Sequence, residues 1–234
     1  MNSLLVKLTH PRAITMWDFS WLERRWPGAG YENPVQALDE LVERGYDAVR
    51  IDAYPHLVSA DPHREWELLP CWSVQDWGSP ALNRVRVQPH LDEFLAACAT
   101  RGIAVGLSTW YREDRAQMRQ HIRSPAQQAD QWIATVQAID PALRHVLLFV
   151  DLCNEWPLAA WAPFFPHEPD GPSDDWGTPA SLAWMHRAVA RFHNAFPDLP
   201  VTFSTSTTPE HYLDTDLPGF DLIDAHLWLS LIHI

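Results

Sequence analysis

The stretch His145–Pro157, HVLLFVDLCNEWP, begins with an apolar run and ends in polar residues. Residues 146–150 carry no polar side chain, which is typical of a strand buried on both faces of a parallel sheet. The preceding segment starts at Ser124-Pro125 and has apolar residues at helical spacing. Proline suits the first turn of a helix, because the N–H that it lacks would have no partner there. The stretch therefore predicts a helix that leads into a buried parallel strand.

The same helix and strand unit recurs along the chain. Other helices are predicted to begin at Pro34, at Pro89 and near Ser181, and to lead into strands at 46–52, 103–108 and 200–204. An opening strand at 13–17, a short helix at 209–213 and a last strand at 220–226 complete the pattern. Six strands that alternate with five helices predict an α/β fold with a parallel sheet covered by helices.

Loop lengths separate the two architectures that fit this pattern, a doubly wound sheet and a TIM barrel. The turns from helix to strand are short, whereas the segments that follow Tyr54 and Glu155 are long. Long loops on one face are how a (β/α)8 barrel builds its site, and no glycine-rich phosphate loop follows the first strand. We therefore expect a TIM barrel of which residues 1–234 hold about the first six units as one incomplete domain, without strands 7 and 8. Residues 229–234, LSLIHI, have the character of a non-native tail.

The composition excludes several classes of partner. With 17 Lys and Arg against 30 Asp and Glu, the formal net charge of −13 opposes binding to nucleic acid or to an anionic membrane. No apolar window approaches the length of a membrane span, and the N-terminal apolar run is too short for a signal peptide, so a cytoplasmic location is expected. The 3 cysteines form no CxxC pair, and no cofactor is predicted.

Tryptophan is unusually frequent, with 13 in 234 residues. Most follow the carboxyl ends of predicted strands, where a barrel keeps its active site. Each indole can anchor a long loop, and as a set the indoles favour sugar rings, which stack on flat aromatic faces. The candidates for substrate contact are Trp17, Trp110, Trp156 and Trp228.

Polar residues also collect at the predicted strand ends. They are Arg50 and Asp52 after the second strand, Asp151, Asn154 and Glu155 after the fourth, and Asp224 and His226 after the sixth. By the alternation of side chains along a strand, Asp52 and Asp151 are each either site residues or buried ion-pair partners. Three histidines, His56, His63 and His90, are interpreted as solvated residues of loops or helix starts.

Three of these segments resemble the cellulase-like, family 5-type branch of the retaining glycoside hydrolases of clan A. HVLLFVDLCNEWP resembles the fourth strand of those enzymes, which implies that Glu155 is the general acid/base and that Asn154 contacts the sugar 2-hydroxyl. DAVRIDAYP at 47–55 resembles the second strand and implies a site arginine, Arg50. DAHLW at 224–228 resembles the sixth strand and implies roles for His226 and Trp228. The third strand departs from the pattern of this family, because Leu107–Trp110 stands where many members carry a histidine.

The resemblance implies retaining hydrolysis of a β-linked oligosaccharide or glycoside. A raised pKa is expected for Glu155, so that it holds a proton near neutral pH. The family's nucleophile is a glutamate at strand 7, beyond Ile234, so residues 1–234 alone are expected to be inactive.

Two other functions fit the same residues. One is a metal-dependent barrel isomerase or hydrolase that uses Asp52, His56, Glu155 and His226 as ligands. The other is a carbohydrate-binding barrel without catalysis, which would keep the tryptophan platform and lack a second carboxylate.

Overall fold

The computed structural model describes residues 10–15, 20–70, 83–167, 177–206 and 219–226. The strands are β1 (Ile14–Thr15), β2 (Ala48–Asp52), β3 (Trp66–Leu68), β4 (Asn83–Val85), β5 (Ala104–Ser108), β6 (Leu147–Asp151) and β7 (Val201–Thr202). The α-helices are α1 (Ser20–Glu23), α2 (Pro34–Glu43), α3 (Pro55–Val58), α4 (Val87–Ala99), α5 (Pro125–Ala138) and α6 (Pro179–Ala195). Two 3-10 helices lie at Met118–His121 and Pro141–Val146.

The main sheet confirms the predicted α/β fold. Its order is β1-β2-β5-β6-β7, and every pair in it is parallel. The last predicted strand, 220–226, contributes one parallel bridge, between Thr205 and Ala225. Successive strands therefore lie side by side, as in a TIM barrel, and within the described ranges the sheet does not close. The predicted helix at 209–213 lies outside the described residues.

Side-chain caps explain where the main helices begin. The side chains of Asn33, Ser124 and Thr178 each accept a hydrogen bond from a backbone N–H in the first turn of α2, α5 and α6. A proline follows each cap and continues the helix without leaving a donor unpaired. Because Thr178 is the cap of α6, that helix begins slightly before the predicted Ser181.

A glycine in β5 makes room for an aromatic ring in β6. Gly106 lies opposite Arg50 on one side and Phe149 on the other. A Cβ atom at Gly106 would lie 2.6 Å from Cζ of Phe149, closer than carbon atoms approach. The absent side chain therefore lets the Phe149 ring pack across the sheet.

The long loops lie at the carboxyl ends of the strands, as predicted. The segment between β2 and α4 contains α3 and the antiparallel pair of β3 and β4. The free edge of β3 is bonded to the loop after β5, through Leu69 N to Glu113 O at 2.8 Å and Arg115 N to Glu67 O at 2.8 Å. The long segment after β2 and the loop after β5 are thus hydrogen-bonded to each other at the carboxyl ends of the strands.

His56 corrects an expectation drawn from the sequence. This residue of α3 is fully buried and not solvated, and its Nε2 donates to the carbonyl of Arg112 at 2.9 Å. Burial lowers the pKa of His56 to about 3, against the raising effect of that hydrogen bond.

No helix among the described residues is both long enough and apolar enough to cross a lipid bilayer.

Candidate active site

Seven polar residues meet at the carboxyl ends of the sheet strands. We call them the strand-end cluster: Arg50, Asp151, Asn154, Glu155, Ser204, Asp224 and His226. Four of them, Arg50, Asn154, Glu155 and His226, are site residues predicted from the sequence. Parallel strands place their carboxyl ends at one edge, which is why residues so distant in the chain come together.

Arg50 is the centre of the strand-end cluster. Its Nη2 donates to Oδ2 of Asp151 at 2.5 Å, to Oδ1 of Asn154 at 3.0 Å and to Oγ of Ser204 at 3.2 Å. Its Nε lies 3.4 Å from Oδ2 of Asp224. Only 2% of the Arg50 side chain is exposed, so the guanidinium acts on its neighbours with little screening by water.

Asp151 is the buried ion-pair partner that the sequence left as one of two alternatives. Its Oδ2 also accepts from Oγ of Ser108 at 2.6 Å, and its Oδ1 accepts from the backbone N–H of Ser204 at 2.8 Å. A buried charge is tolerated when it is both paired and hydrogen-bonded, and Asp151 meets both conditions.

Ser204 holds the backbone of Glu155. Its hydroxyl donates to Oδ2 of Asp151 at 2.9 Å and accepts from the N–H of Glu155 at 2.9 Å, while its carbonyl accepts from the N–H of Trp156 at 3.0 Å. Glu155 has a backbone φ of +48°, in the left-handed region that residues other than glycine, asparagine and aspartate rarely adopt. The end of β7 thus stabilises a costly backbone conformation at the candidate acid.

Both carboxylate oxygens of Glu155 are engaged. Oε1 lies 3.1 Å from Nδ1 of His226, and Oε2 accepts from Nε1 of Trp161 at 3.3 Å. Burial acts to raise the pKa of Glu155, but the hydrogen bond and charge of His226, the Trp161 N–H and the charge of Arg50 outweigh it. The pKa of Glu155 is therefore lowered. This corrects the expectation of a raised pKa, because the sequence did not show which donors surround the carboxyl.

The second nitrogen of His226 faces Asp224. Nε2 of the ring lies 3.6 Å from Oδ1 of Asp224, and the backbone N–H of His226 donates to the carbonyl of Thr205 at 2.7 Å. Burial and then the charge of Asp151 raise the pKa of Asp224, although Arg50 and His226 act in the opposite direction. The His226 ring is consequently flanked by one carboxyl group with a lowered pKa and one with a raised pKa.

Trp110 lies against the strand-end cluster under its arginine. The Cζ atom of Arg50 is 4.7 Å from the centre of the indole, a cation–π distance. The indole is buried, with 6% of the residue exposed. Trp110 is therefore close to the predicted site, and in this structure the guanidinium occupies one of its faces.

Asp52, predicted from the sequence as a substrate contact or a buried ion-pair partner, is fully buried. Its Oδ1 accepts from the N–H of Tyr54 at 2.8 Å, and its Oδ2 accepts from the N–H of Trp110 at 2.9 Å. Burial raises the pKa of Asp52 to about 7, although these hydrogen bonds oppose the shift. The carboxyl therefore joins the ends of β2 and β5 beneath the surface.

Trp156, predicted from the sequence as a sugar contact, lies in the core of the structure. It is fully buried, its ring centre lies 5.1 Å from those of Phe165 and Phe203 and 5.7 Å from that of Trp184, and its Nε1 donates to Ser181. Its flat faces pack inside the protein. Trp21 and Trp66 are buried in the same way, so for these residues the role of loop anchor is correct. The two other candidates, Trp17 and Trp228, lie outside the described residues.

Two residues that contact Glu155, Ser204 and Trp161, were not predicted from the sequence. Ser204 stands at a predicted strand end, which is the signal that identified Arg50, Asp151 and Asp224. Trp161 was one of several loop tryptophans, and its spacing from Glu155 shows no pattern from which a hydrogen bond follows.

The contacts do not support the metal-binding alternative. Asp52 and His56 are bonded to backbone groups as described above, away from the Glu155 and His226 pair. Across the described ranges, no three His, Cys, Asp or Glu residues are arranged to hold a metal ion.

Comparisons with known proteins agree with this geometry. A family model described as sugar-binding cellulase-like matches residues 14–233. A candidate glycoside hydrolase from Parabacteroides distasonis ATCC 8503, known from a crystal structure, is 47% identical with a TM-score of 0.86, and the alignment covers 92% of this chain and 57% of that one. This chain thus spans little more than half of that relative.

A more distant structure shares the fold. The exo-beta-1,4-mannosidase Op5Man5 from Opitutaceae bacterium strain TAV5 is 15% identical with a TM-score of 0.50, over 91% of this chain and 37% of that one. A comparison with curated protein sequences found no match.

Proposed function

Because the chain belongs to the sugar-binding cellulase-like family, we propose that the full-length protein is a glycoside hydrolase with Glu155 as its general acid/base. The observation that carries the proposal is the fixation of Glu155 at the carboxyl edge of the sheet. Its two oxygens are held by His226 and Trp161, and its backbone is held by Ser204. A proton donor for a leaving oxygen has to be positioned in this way, because proton transfer requires hydrogen-bond reach.

Asn154 and Arg50 fit the recognition of the sugar. Oδ1 of Asn154 accepts from Arg50, which leaves the Nδ2 group of Asn154 to donate to a hydroxyl of the substrate. In a retaining mechanism, hydrogen bonds to the 2-hydroxyl strengthen in the transition state and lower the barrier. We therefore assign Asn154 to this contact and Arg50 to its orientation.

The second carboxyl group of a retaining enzyme attacks the anomeric carbon from about 5–5.5 Å away from the first. Within the described ranges, the other carboxyl groups of the strand-end cluster do not fit this role. Asp151 is enclosed by Arg50, Ser108 and Ser204, and an imidazole ring separates Asp224 from Glu155. We propose that the nucleophile is a glutamate outside residues 1–234, on the strand that follows the last one here.

The substrate that fits this proposal is a β-linked oligosaccharide or glycoside. The strand-end cluster supplies hydrogen-bonding groups for the hydroxyls at the edge of a sugar ring. Trp110 is buried with one face against Arg50, so the aromatic face that stacks on the C–H groups of the sugar is expected from another residue.

The test is the Glu155→Gln variant of the full-length protein, assayed on β-linked aryl glycosides and disaccharides. Loss of the acid should reduce turnover by about 10²–10⁴-fold and leave ligand binding measurable by calorimetry. Glu113→Gln is the control, because Glu113 is a half-exposed glutamate on the loop after β5 that pairs with Arg119 and lies outside the strand-end cluster. Unchanged turnover in Glu155→Gln would contradict the assignment. Binding without turnover in the unchanged full-length protein would favour the carbohydrate-binding alternative.

A further inference from the structure

Three side chains of the described residues donate hydrogen bonds to one backbone carbonyl, that of Leu152, the residue that follows β6. The donors are Nε1 of Trp132 at 3.0 Å, Nε2 of Gln128 at 3.2 Å and Oη of Tyr111 at 3.3 Å. All four residues are fully buried. A carbonyl oxygen has two lone pairs, so three donors exceed what its own hydrogen bonding requires. The orientation of this peptide group is therefore held from several sides.

Gln128 has one orientation in this arrangement. Its Oε1 accepts from Nε1 of Trp184 at 2.6 Å, while its Nε2 donates to Leu152. An indole N–H can only donate and a carbonyl can only accept, so the partners fix which end of the amide is which. Ala129 and Val136 are among the other buried residues of α5. Gln128 thus stands on a buried helix face where packing alone favours an apolar side chain, and its polar contacts have to account for it.

The peptide group that Gln128 holds is also bound to the strand-end cluster. The carbonyl of Leu152 and the N–H of Cys153 belong to one planar unit, and this N–H donates to Oδ1 of Asp151 at 3.3 Å. Asp151 in turn is the ion-pair partner of Arg50. One plane is therefore fixed from the helix side through its oxygen and from the site side through its nitrogen.

Two residues, Cys153 and Asn154, separate Leu152 from Glu155. A rotation of the anchored peptide group therefore moves the Glu155 carboxyl, and the left-handed backbone at Glu155 persists where its surroundings hold it. On the basis of the proposed function, we infer that Gln128 is a positioning residue for Glu155, which acts by fixing the carbonyl of Leu152. A displacement of about 1 Å at a catalytic group can lower the rate by about 10²-fold, so such an anchor has a measurable effect.

The first experiment compares two glutamine variants of the full-length protein. Gln128→Met keeps a side chain of similar size and removes both the donor and the acceptor. The matched control is Gln88→Met, because Gln88 is also buried and also donates to a backbone carbonyl, that of Ala138, at 3.0 Å. Ala138 ends α5, about 15 Å along the helix from Gln128. Both variants lose one buried hydrogen bond to a carbonyl, so a difference between their kinetics reports the position of that bond.

Gln128→Met should lower kcat on an alkyl glycoside about tenfold with KM little changed, because that leaving group needs a proton from a well-placed acid. On a 2,4-dinitrophenyl glycoside, whose leaving group departs without a proton, kcat/KM should stay nearly unchanged. Gln88→Met should follow the unchanged protein on both substrates. An unchanged kcat in Gln128→Met, equal losses on the two substrates, or equal losses in the two variants would each contradict the inference.

Tyr111→Phe provides a milder test at the same carbonyl. It removes one oxygen atom and keeps the aromatic ring, so the variant should fold even where Gln128→Met does not. The same kinetic pattern is expected at smaller size, because two donors to Leu152 remain. If Gln128→Met does not fold, an unchanged kcat of Tyr111→Phe on the alkyl glycoside overturns the inference.

The second experiment needs no substrate. The N–H groups of Asn154, Glu155 and Trp156 donate to Thr109 O, Ser204 Oγ and Ser204 O. Amide hydrogen exchange, followed by NMR, should be about fivefold faster at these three positions in Gln128→Met than in Gln88→Met. Equal rates in the two variants overturn the inference. If the unchanged protein hydrolyses no glycoside, the proposed function fails, and the exchange rates still decide whether Gln128 holds this segment.

Discussion

The guanidinium of Arg50 and the carboxylate of Asp151 meet at 2.5 Å although they are 101 residues apart in the sequence. Both side chains are almost fully buried, and the pair joins the middle of β2 to the end of β6. The same nitrogen of Arg50 also contacts Asn154 and Ser204, so the geometry of the strand-end cluster depends on this ion pair.

Removing Arg50 should therefore destabilise the protein strongly. Arg50→Met leaves Asp151 charged and without its cation in the interior, which costs about 3–5 kcal/mol of unfolding free energy. Chemical denaturation measures this loss. In a double-mutant cycle, Asp151→Asn should cost much less in the Arg50→Met background than alone, and additive losses would show that the two residues are not coupled.

A methyl group at position 106 should be poorly tolerated. Gly106→Ala places Cβ against the ring of Phe149 and should lower the unfolding free energy by about 1–3 kcal/mol through overpacking. Phe149→Leu removes part of the ring, so we expect it to recover some stability when combined with Gly106→Ala. Equal thermal stability of Gly106→Ala and the unchanged protein would contradict the predicted clash.

His56 should contribute to the loss of stability in acid. Its pKa is about 3 in the folded protein, against about 6.5 for an unfolded histidine. Between these values only the unfolded state binds the proton, so the unfolding free energy falls as the pH falls, by up to about 1.4 kcal/mol per pH unit. Below about pH 3 both states are protonated and this contribution no longer changes.

The variant His56→Gln tests that dependence, because the glutamine amide can still donate to the carbonyl of Arg112. Denaturation curves between pH 6.5 and 3 should show a shallower decline for this variant than for the unchanged protein. His145→Gln, at an exposed histidine, is the control and should follow the unchanged protein. Parallel curves for His56→Gln and the unchanged protein would show that His56 takes up its proton in the folded state.

Retention of configuration can be examined with Glu155→Ala in the full-length protein. This variant lacks the acid/base, so a 2,4-dinitrophenyl glycoside should form the covalent intermediate without proton donation. The intermediate should then accumulate, because no base activates water to hydrolyse it. Added azide, which needs no base, should restore turnover and give a glycosyl azide with the configuration of the substrate. Formation of the opposite anomer, identified by NMR, would indicate an inverting mechanism.

The strands and helices could be predicted because local features determine them. Apolar runs specified β2, β5 and β6, and proline after a capping residue specified the starts of α2 and α5. The proximity of Arg50, Asn154, Glu155 and His226 could be predicted because parallel strands place their carboxyl ends together, and strand ends can be located from the sequence.

Side-chain direction beyond a strand end could not be predicted in the same way. The left-handed φ of Glu155 turns the chain, so Trp156 points into the core and Glu155 toward His226. The lowered pKa of Glu155 depends on His226, which is 71 residues away, and the burial of His56 depends on the loop after β5. These properties arise from packing between distant segments, and no local pattern encodes them.

The left-handed backbone conformation of Glu155 lowers stability at a residue that the proposed function requires. Asparagine and glycine adopt its left-handed conformation more readily than glutamate does, so either residue should relieve strain at this position. Selection for a stable fold alone would therefore replace the glutamate. Under the proposed function, a more stable protein without hydrolase activity is one substitution away, and only a demand for the carboxyl group itself would keep glutamate at this position.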